Sequence, residues 1–245
     1  MRQLIAGNWK MNRLQNPAAA LARAIAADSH KVGCDLLICP PFTALGAVAA
    51  VIRGSRVALG AQDCHTAESG AFTGDVSAAM LADANCTAVI VGHSERRRQH
   101  GETSAQVRAK AAAAAAAELM AVVCVGESEA ERDAGRAVEI VRTQVAESLP
   151  DEFEGVVAYE PVWGIGSGRT PTLDDIATMH AAIRQALVRR LGADGGSLRI
   201  LYGGSVRAEN AAALLGVPEV GGALVGGASL DSGEFLRIAA AARRG

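Results

Sequence analysis

The sequence predicts an α/β protein built as a (β/α)8 barrel, and three observations carry that expectation. Eight short apolar runs recur along the chain, each followed by a helical segment. The runs mostly do not alternate with polar residues, as expected of parallel strands buried on both faces. The length, 245 residues, suits a barrel of this kind, typically ~250 residues. A doubly wound open sheet has the same rhythm and stands as the rival, because periodicity cannot show closure.

The predicted strands are Leu4–Ala6, Leu36–Cys39, Val57–Leu59, Ala88–Val91, Val122–Val125, Val156–Ala158, Ile200–Tyr202 and Ala223–Val225. The predicted helices are Ala18–Ala27, Thr43–Ile52, Val76–Ala84, Ser104–Leu119, Glu129–Ser148, Leu173–Arg190, Ala208–Leu215 and Gly233–Arg243. Asn16-Pro17 reads as the opening of the first helix, since Pro is tolerated in a first turn. Thr170-Pro171-Thr172 followed by Asp174-Asp175 opens the sixth, and Gly192 follows it where a glycine is favoured.

Composition narrows the function. Half of the residues are apolar and 20% are charged. A chain this long buries roughly 70–75% of its unfolded surface and needs no disulfide staples. Lys plus Arg is 24 and Asp plus Glu is 26, for a net charge of −2. That leaves no basic footprint for nucleic acid and no charged tail. The N-terminal residues lack the apolar core of a signal peptide. Lys110 and Glu118 bracket the alanine tract Ala111–Ala117, so no uncharged stretch of ~18 residues is available to span a membrane. Five cysteines without a C-x-x-C pair argue against a disulfide framework or structural zinc, and for a reducing compartment. No linker divides the chain. The expectation is one cytoplasmic barrel domain over residues 1–245.

In such a barrel the active residues lie just after the strands, at the C-terminal rim. There the sequence offers Asn8 and Lys10 after the first strand, His93 after the fourth and Glu160 after the sixth. Gly203-Gly204-Ser205 follows the seventh and Gly226-Gly227 the eighth. Taken singly, each has a bland alternative: a solvated lysine, a capping histidine, a salt-bridged rim carboxylate, a tight turn. Taken together they converge on one rim. Two glycine-rich connections on adjacent strands bind a phosphate through bare backbone N–H groups and a helix N-terminus. Glu160, at the end of an apolar strand, would gain basicity on losing water. A histidine at a helix N-terminus tends to stay neutral, and a neutral ring can donate to a carbonyl oxygen. Lys10 can hold an anion and a developing oxyanion. His30, His65, His100 and His180 read as surface or structural groups without partners.

Gly164–Thr170 is not a Walker loop: three residues rather than four separate its outer glycines, and Arg follows rather than Lys. Pro171 rules out the immediate helix that a dinucleotide loop needs. Bracketed by Pro161 and Pro171, it reads as a lid or a plain surface loop.

Five segments then carry a resemblance: Gly7-Asn8-Trp9-Lys10-Met11-Asn12, Gly92-His93-Ser94-Glu95-Arg96-Arg97, Ala158-Tyr159-Glu160-Pro161-Val162-Trp163, Tyr202-Gly203-Gly204-Ser205-Val206 and Leu224-Val225-Gly226-Gly227-Ala228-Ser229-Leu230. In this order, with Gly70–Gly74 and Cys124–Glu127 between them, they resemble the triosephosphate isomerase family over the whole chain. The resemblance implies a TIM barrel that interconverts dihydroxyacetone phosphate and D-glyceraldehyde 3-phosphate in glycolysis and gluconeogenesis. It implies that Glu160 shuttles a proton between neighbouring carbons through an enediolate. His93 would donate to the carbonyl oxygens and move protons between them, and Lys10 and Asn8 would stabilise and position the enediolate. Gly166, Ser205, Gly226 and Gly227 would give donors to the phosphate, with Glu95 behind the site. No metal or organic cofactor is implied. Gly164, Ser167 and Arg169 depart from the family's usual Ala, Thr and Lys; Gly164 adds backbone freedom costing roughly 0.5–1 kcal/mol where the chain is ordered.

The connection Gln62–Gly74 far exceeds the ~2–6 residues usual between a strand and its helix. The resemblance implies that it docks on a partner subunit near Lys10, with Thr73 at its tip, in a symmetric homodimer. Asp75 stands where Glu is usual and would weaken a cross-subunit pair with Arg96. Two rival readings stay open. A different sugar-phosphate barrel enzyme fits the short connections after strands seven and eight, and the Lys–His–Glu set, less well. A catalytically silent relative that binds sugar phosphate or acts as a scaffold would be expected to lack Lys10, His93 or Glu160.

Overall fold

The computed structural model describes residues 2–164 and 169–243. Eight parallel strands close in sequence order, so the barrel prevails over the open sheet. They are β1 (Leu4–Asn8), β2 (Asp35–Cys39), β3 (Val57–Ala61), β4 (Ala88–Val91), β5 (Met120–Val125), β6 (Val156–Tyr159), β7 (Ile200–Tyr202) and β8 (Gly222–Val225). Closure is made by β1 against β8, with Leu4 opposite Gly222 and Gly7 opposite Val225. Every strand but β2 and β3 is buried at each position it contributes, apart from Met120 at the start of β5, which is why the apolar runs do not alternate.

The core has two shells. Inside the barrel, Leu4, Ala6, Leu37, Ile90, Val122, Ala158 and Leu201 pack with Cys39 and Cys124. Outside it, residues such as Ile5, Ile38, Val89, Val123 and Val157 face the helices. Alternation survives as inward against outward apolar residues, since successive side chains point to opposite faces.

The helices are α1 (Gln15–Asp28), α2 (Leu45–Ile52), α3 (Ala78–Asp83), α4 (Ser94–His100), α5 (Ser104–Ala116), α6 (Glu129–Asp133), α7 (Ala137–Ser148), α8 (Leu173–Leu191), α9 (Ala208–Gly216) and α10 (Ser232–Ala240). Three local expectations need correction. The segment Glu129–Ser148 is two helices, broken at Gly135, whose φ of 73° lies in the left-handed region that glycine tolerates. Helix α1 starts before Asn16-Pro17, from Leu14, without a side-chain cap. The fourth unit begins with α4, which the sequence signalled only through Ser94-Glu95. The sixth unit is as expected: Thr172 caps α8, with Asp175 closing a capping box.

Among the described residues no helix is long and apolar enough to cross a membrane.

Candidate active site

The rim positions rest on local backbone devices. Lys10 has φ 52°, a strained conformation for a residue with a Cβ. Two polar contacts hold it there. Asn8 Oδ1 accepts the Lys10 N–H at 3.0 Å, and Gln62 Nε2 donates to the Lys10 carbonyl at 2.9 Å. Gly92 has φ 66°, and a Cβ there would stand 2.6 Å from Val107. Both facts demand glycine before His93. Arg97 then braces the turn, donating from Nε to the Gly92 carbonyl at 2.9 Å and from Nη2 to Cys124 O and Ser148 Oγ.

His93 caps α4: its Nδ1 accepts the Glu95 N–H at 3.2 Å. The ring proton therefore sits on Nε2, which lies 2.7 Å from Glu160 Oε1. The other carboxylate oxygen of Glu160 accepts the Ser94 N–H at 2.8 Å. Glu160 is 2% exposed and His93 6%. Lys10 Nζ meets Glu95 Oε1 at 2.6 Å.

These contacts act against desolvation at Glu160. Burial does raise the pKa of Glu160, but His93, the Ser94 N–H and Lys10 together outweigh it and hold the carboxylate below its ordinary value. For His93, burial works against the charged ring, and the adjoining Glu160 more than offsets it and raises the pKa. A second ring proton would nevertheless have to displace the Glu95 N–H from Nδ1. The pair thus holds one proton, on His93 Nε2.

Asn8, Lys10, His93, Glu160, Ser205, Gly226 and Gly227 line a single cavity of about 340 Å³, together with Gly203, Gly204, Val206, Arg207, Leu224, Ala228 and Glu234. The glycines serve space there. None of Gly203, Gly204, Gly226 and Gly227 has a positive φ, so the tight-turn alternative fails. A Cβ on Gly203 would come within 2.9 Å of Glu160 Cγ, and one on Gly204 within 2.2 Å of the Tyr202 hydroxyl. At Gly227 a Cβ would meet no protein atom within 4 Å. After β8 the chain makes a short 3-10 turn, Gly227–Leu230, before α10. A short helical turn of this kind is the usual companion of a phosphate site at the ends of strands seven and eight.

Of the residues singled out in the sequence, Gly166 and Ser167 lie outside the described residues. Glu95 is where it was expected, between Lys10 and the His93 ring. His65 and His180, read as lacking partners, have them. His65 Nδ1 accepts the Ala67 N–H and its ring stacks on Phe72 at 4.0 Å. His180 is fully buried against Tyr159 and Tyr202, with Nδ1 3.3 Å from the Glu219 carbonyl. Arg96 pairs within its own chain, with Asp63 at 2.9 Å and Glu102 at 2.5 Å. Gly164 is buried, and a Cβ on it would lie 3.1 Å from Pro171 Cδ; the usual alanine would crowd that proline.

Sequence reasoning gave no role to Glu127. It is fully buried and accepts hydrogen bonds from Trp163 Nε1 at 2.7 Å and from the Tyr159 hydroxyl at 3.1 Å. The same signal that picked Glu160, a carboxylate just past an apolar strand, was present at the end of β5.

The sequence model of the triosephosphate isomerase family matches residues 3–242. The chain belongs to the triosephosphate isomerase family. The triosephosphate isomerase of Granulibacter bethesdensis is 58% identical over 98% of this chain and 99% of its own length. That of Acidiphilium cryptum is 56% identical over the full length of both. The crystal structure of triosephosphate isomerase from Bartonella henselae superposes with a TM-score of 0.92, at 42% identity, over 98% of this chain and 99% of that one. As a triosephosphate isomerase the chain is an intramolecular aldose–ketose isomerase. It interconverts dihydroxyacetone phosphate and D-glyceraldehyde 3-phosphate through an enediolate, a step of glycolysis and gluconeogenesis. Nothing supports the silent-relative reading.

Proposed function

We propose that Glu160 is the base of this isomerisation and His93 its electrophile, with Lys10 and Asn8 fixing the reacting end of the substrate. The observation that carries the proposal is the 2.7 Å contact between His93 Nε2 and Glu160 Oε1 beside Lys10 in one cavity. A substrate carbonyl docking on His93 and Lys10 takes the ring away from Glu160. The carboxylate then loses a partner that kept its pKa low, while its burial, which raises the pKa, remains. Its basicity rises at the moment a C–H is presented. Glu160 takes the proton from the carbon next to the carbonyl, and the electron pair moves onto the carbonyl oxygen. The enediolate oxygens are met by the His93 Nε2–H and the Lys10 ammonium. His93 passes its Nε2 proton to the former carbonyl oxygen and takes up the proton of the neighbouring hydroxyl. Glu160 returns its proton to the former carbonyl carbon, and the carbon it deprotonated becomes the new carbonyl. Ser205, Gly226 and Gly227, with Gly166, hold the phosphate.

Turnover of Glu160→Gln against wild type tests this. The variant keeps the shape of the pair and removes the base, so kcat should fall by about 10²–10⁴-fold, the usual contribution of a general base. Retention of wild-type turnover would place the base elsewhere.

We also infer a symmetric homodimer of single-domain protomers spanning residues 1–245, working in the cytoplasm. Supporting it, Met11, Leu14 and Phe72 are exposed apolar side chains, Met11 at 95%. They lie on α1's approach and on the long connection after β3, whose root Gln62 grips Lys10. Asp75 lies 3.7 Å from His65 of its own chain. All five cysteines are unpaired, buried thiols, which suits a reducing compartment. Sedimentation at nanomolar concentration should show the dimer; a stable, fully active monomer would overturn it.

A further inference from the structure

Arg207 also lines the cavity that holds Glu160 and His93. Arg207 lies at the N-terminal edge of α9, directly after the Gly203–Val206 connection. Its backbone is fixed from two sides. Asn210 Oδ1 accepts the Arg207 N–H at 2.9 Å, and Asn210 Nδ2 donates to the Ser205 carbonyl at 3.1 Å. The next N–H, of Ala208, donates to Glu234 Oε1 at 2.7 Å.

The side chain is in a different situation. Arg207 is exposed, and among the described residues no hydrogen bond or ion pair engages its guanidinium. The other charged groups lining the cavity are all committed. Lys10 is paired with Glu95, Glu160 is held by His93 and Ser94, and Glu234 serves Ala208 and Arg237. Arg207 is thus the cation without a protein partner at the mouth of a site for a dianion. Chance does not favour that arrangement: Glu234 lines the same cavity and is the natural partner, yet both its oxygens are taken.

We propose that Arg207 is a substrate-capture residue that selects the doubly charged phosphate ester and draws it onto the Ser205 and Gly226–Gly227 backbone. The proposal rests on the reading of those connections as the phosphate site. A guanidinium suits the task because its planar fork meets phosphate oxygens two at a time. Its exposure lets the attraction reach into solvent, where it raises the encounter rate and is screened by salt. The encounter step enters kcat/KM and leaves the proton transfers at Glu160 untouched.

The test measures kcat and kcat/KM for wild type, Arg207→Lys, Arg207→Gln and Arg207→Glu across ionic strength, with inorganic phosphate as a competitive inhibitor in parallel. At low salt Arg207→Gln should lose about 3–10-fold in kcat/KM and Arg207→Glu more, in line with the modest end of electrostatic steering. Arg207→Lys should keep most of it. The ratios to wild type should close toward one at about 0.5 M salt, where the screening length is a few ångströms. The inhibition constant for inorganic phosphate should rise in the same order, with kcat changing less than kcat/KM. A merely structural role for Arg207 would lower kcat and kcat/KM together at every salt concentration, and that result would overturn the proposal. So would equal behaviour of the Gln and Glu variants. If inorganic phosphate failed to compete with substrate in the wild type, the phosphate-site reading itself would fall. Competition that no Arg207 variant alters would sink the capture role alone.

Discussion

Helix α4 is short, yet it serves two buried ionic clusters that behave in opposite ways. Toward the cavity it offers the Ser94 N–H to Glu160 and the Glu95 carboxylate to Lys10. Away from it, Arg96 joins Asp63, Glu102 and Lys110 beneath the long connection after β3. In that second cluster Lys110 Nζ lies 2.7 Å from Asp63 Oδ1 and 2.6 Å from Glu102 Oε1. Arg96 reaches the same two acids, so each carboxylate has two cations. At the cavity, by contrast, Glu160 is answered by the His93 ring and the Ser94 N–H, with Lys10 nearby, and the proposed mechanism has the substrate take the ring away. That contrast separates a site from a strut. Both clusters are buried, and both shift pKa values. Burial raises the pKa of Asp63 beyond what Lys110 and Arg96 offset, whereas for Glu102 the two cations outweigh burial and lower it. What the strut lacks is an opening beside a partner that can be exchanged.

Lys110 is where the two clusters part most visibly. Lys110→Met removes the shared cation and leaves two buried carboxylates with Arg96 alone. Breaking a buried ion pair from one side typically costs about 3–5 kcal/mol. Urea unfolding should show a loss of that size, while kcat per folded molecule stays close to wild type. Glu160→Gln should show the inverse pattern, with kcat collapsed and stability little changed. If Lys110→Met lost turnover in step with Glu160→Gln without losing stability, the two clusters would be one functional unit and the distinction would fail.

Much of the barrel was legible because its signals are local. Parallel strands buried on both faces read as short apolar runs, and Thr172 and Asp175 announce the start of α8 where they stand. Glu160, His93 and Lys10 were legible because a polar residue directly after an apolar strand lies at the rim in a barrel. The second cluster was invisible for a physical reason. Lys110 sits in an alanine-rich helix, Asp63 in a loop and Glu102 between helices, and no spacing connects them until β3 and β4 pair. The contacts that oppose burial at Glu160 were hidden for a related reason. Desolvation can be read from a strand end, but the ring that counters it comes from 67 residues earlier in the chain. The split of Glu129–Ser148 turned on Gly135 alone.

A second buried histidine differs from His93 on a smaller scale. His180 is as buried as His93, but no carboxylate meets its ring: the nearby Glu219 carboxylate is paired with Arg184, and the two act on it in opposite directions. Its Nδ1 reaches the Glu219 carbonyl, its Nε2 has no partner among the described residues, and Tyr159 and Tyr202 flank the ring. Burial pushes its pKa down to about 4, against an ordinary value of 6.5. Between those two pH values the unfolded chain binds a proton at this position and the folded protein does not. The stability that the neutral ring contributes is therefore complete above pH 6.5 and is lost as the pH falls toward 4. The difference corresponds to about 3 kcal/mol. Other carboxylates also titrate in this range, so the measurement is the difference between wild type and His180→Gln. Glutamine cannot take up that proton, and it retains an N–H for the Glu219 carbonyl. Wild type should lose about 3 kcal/mol more than the variant between pH 7 and pH 4 in urea unfolding. Equal losses would mean that the ring finds a counter-charge on protonation, and that burial beside two tyrosines does not set it apart from His93.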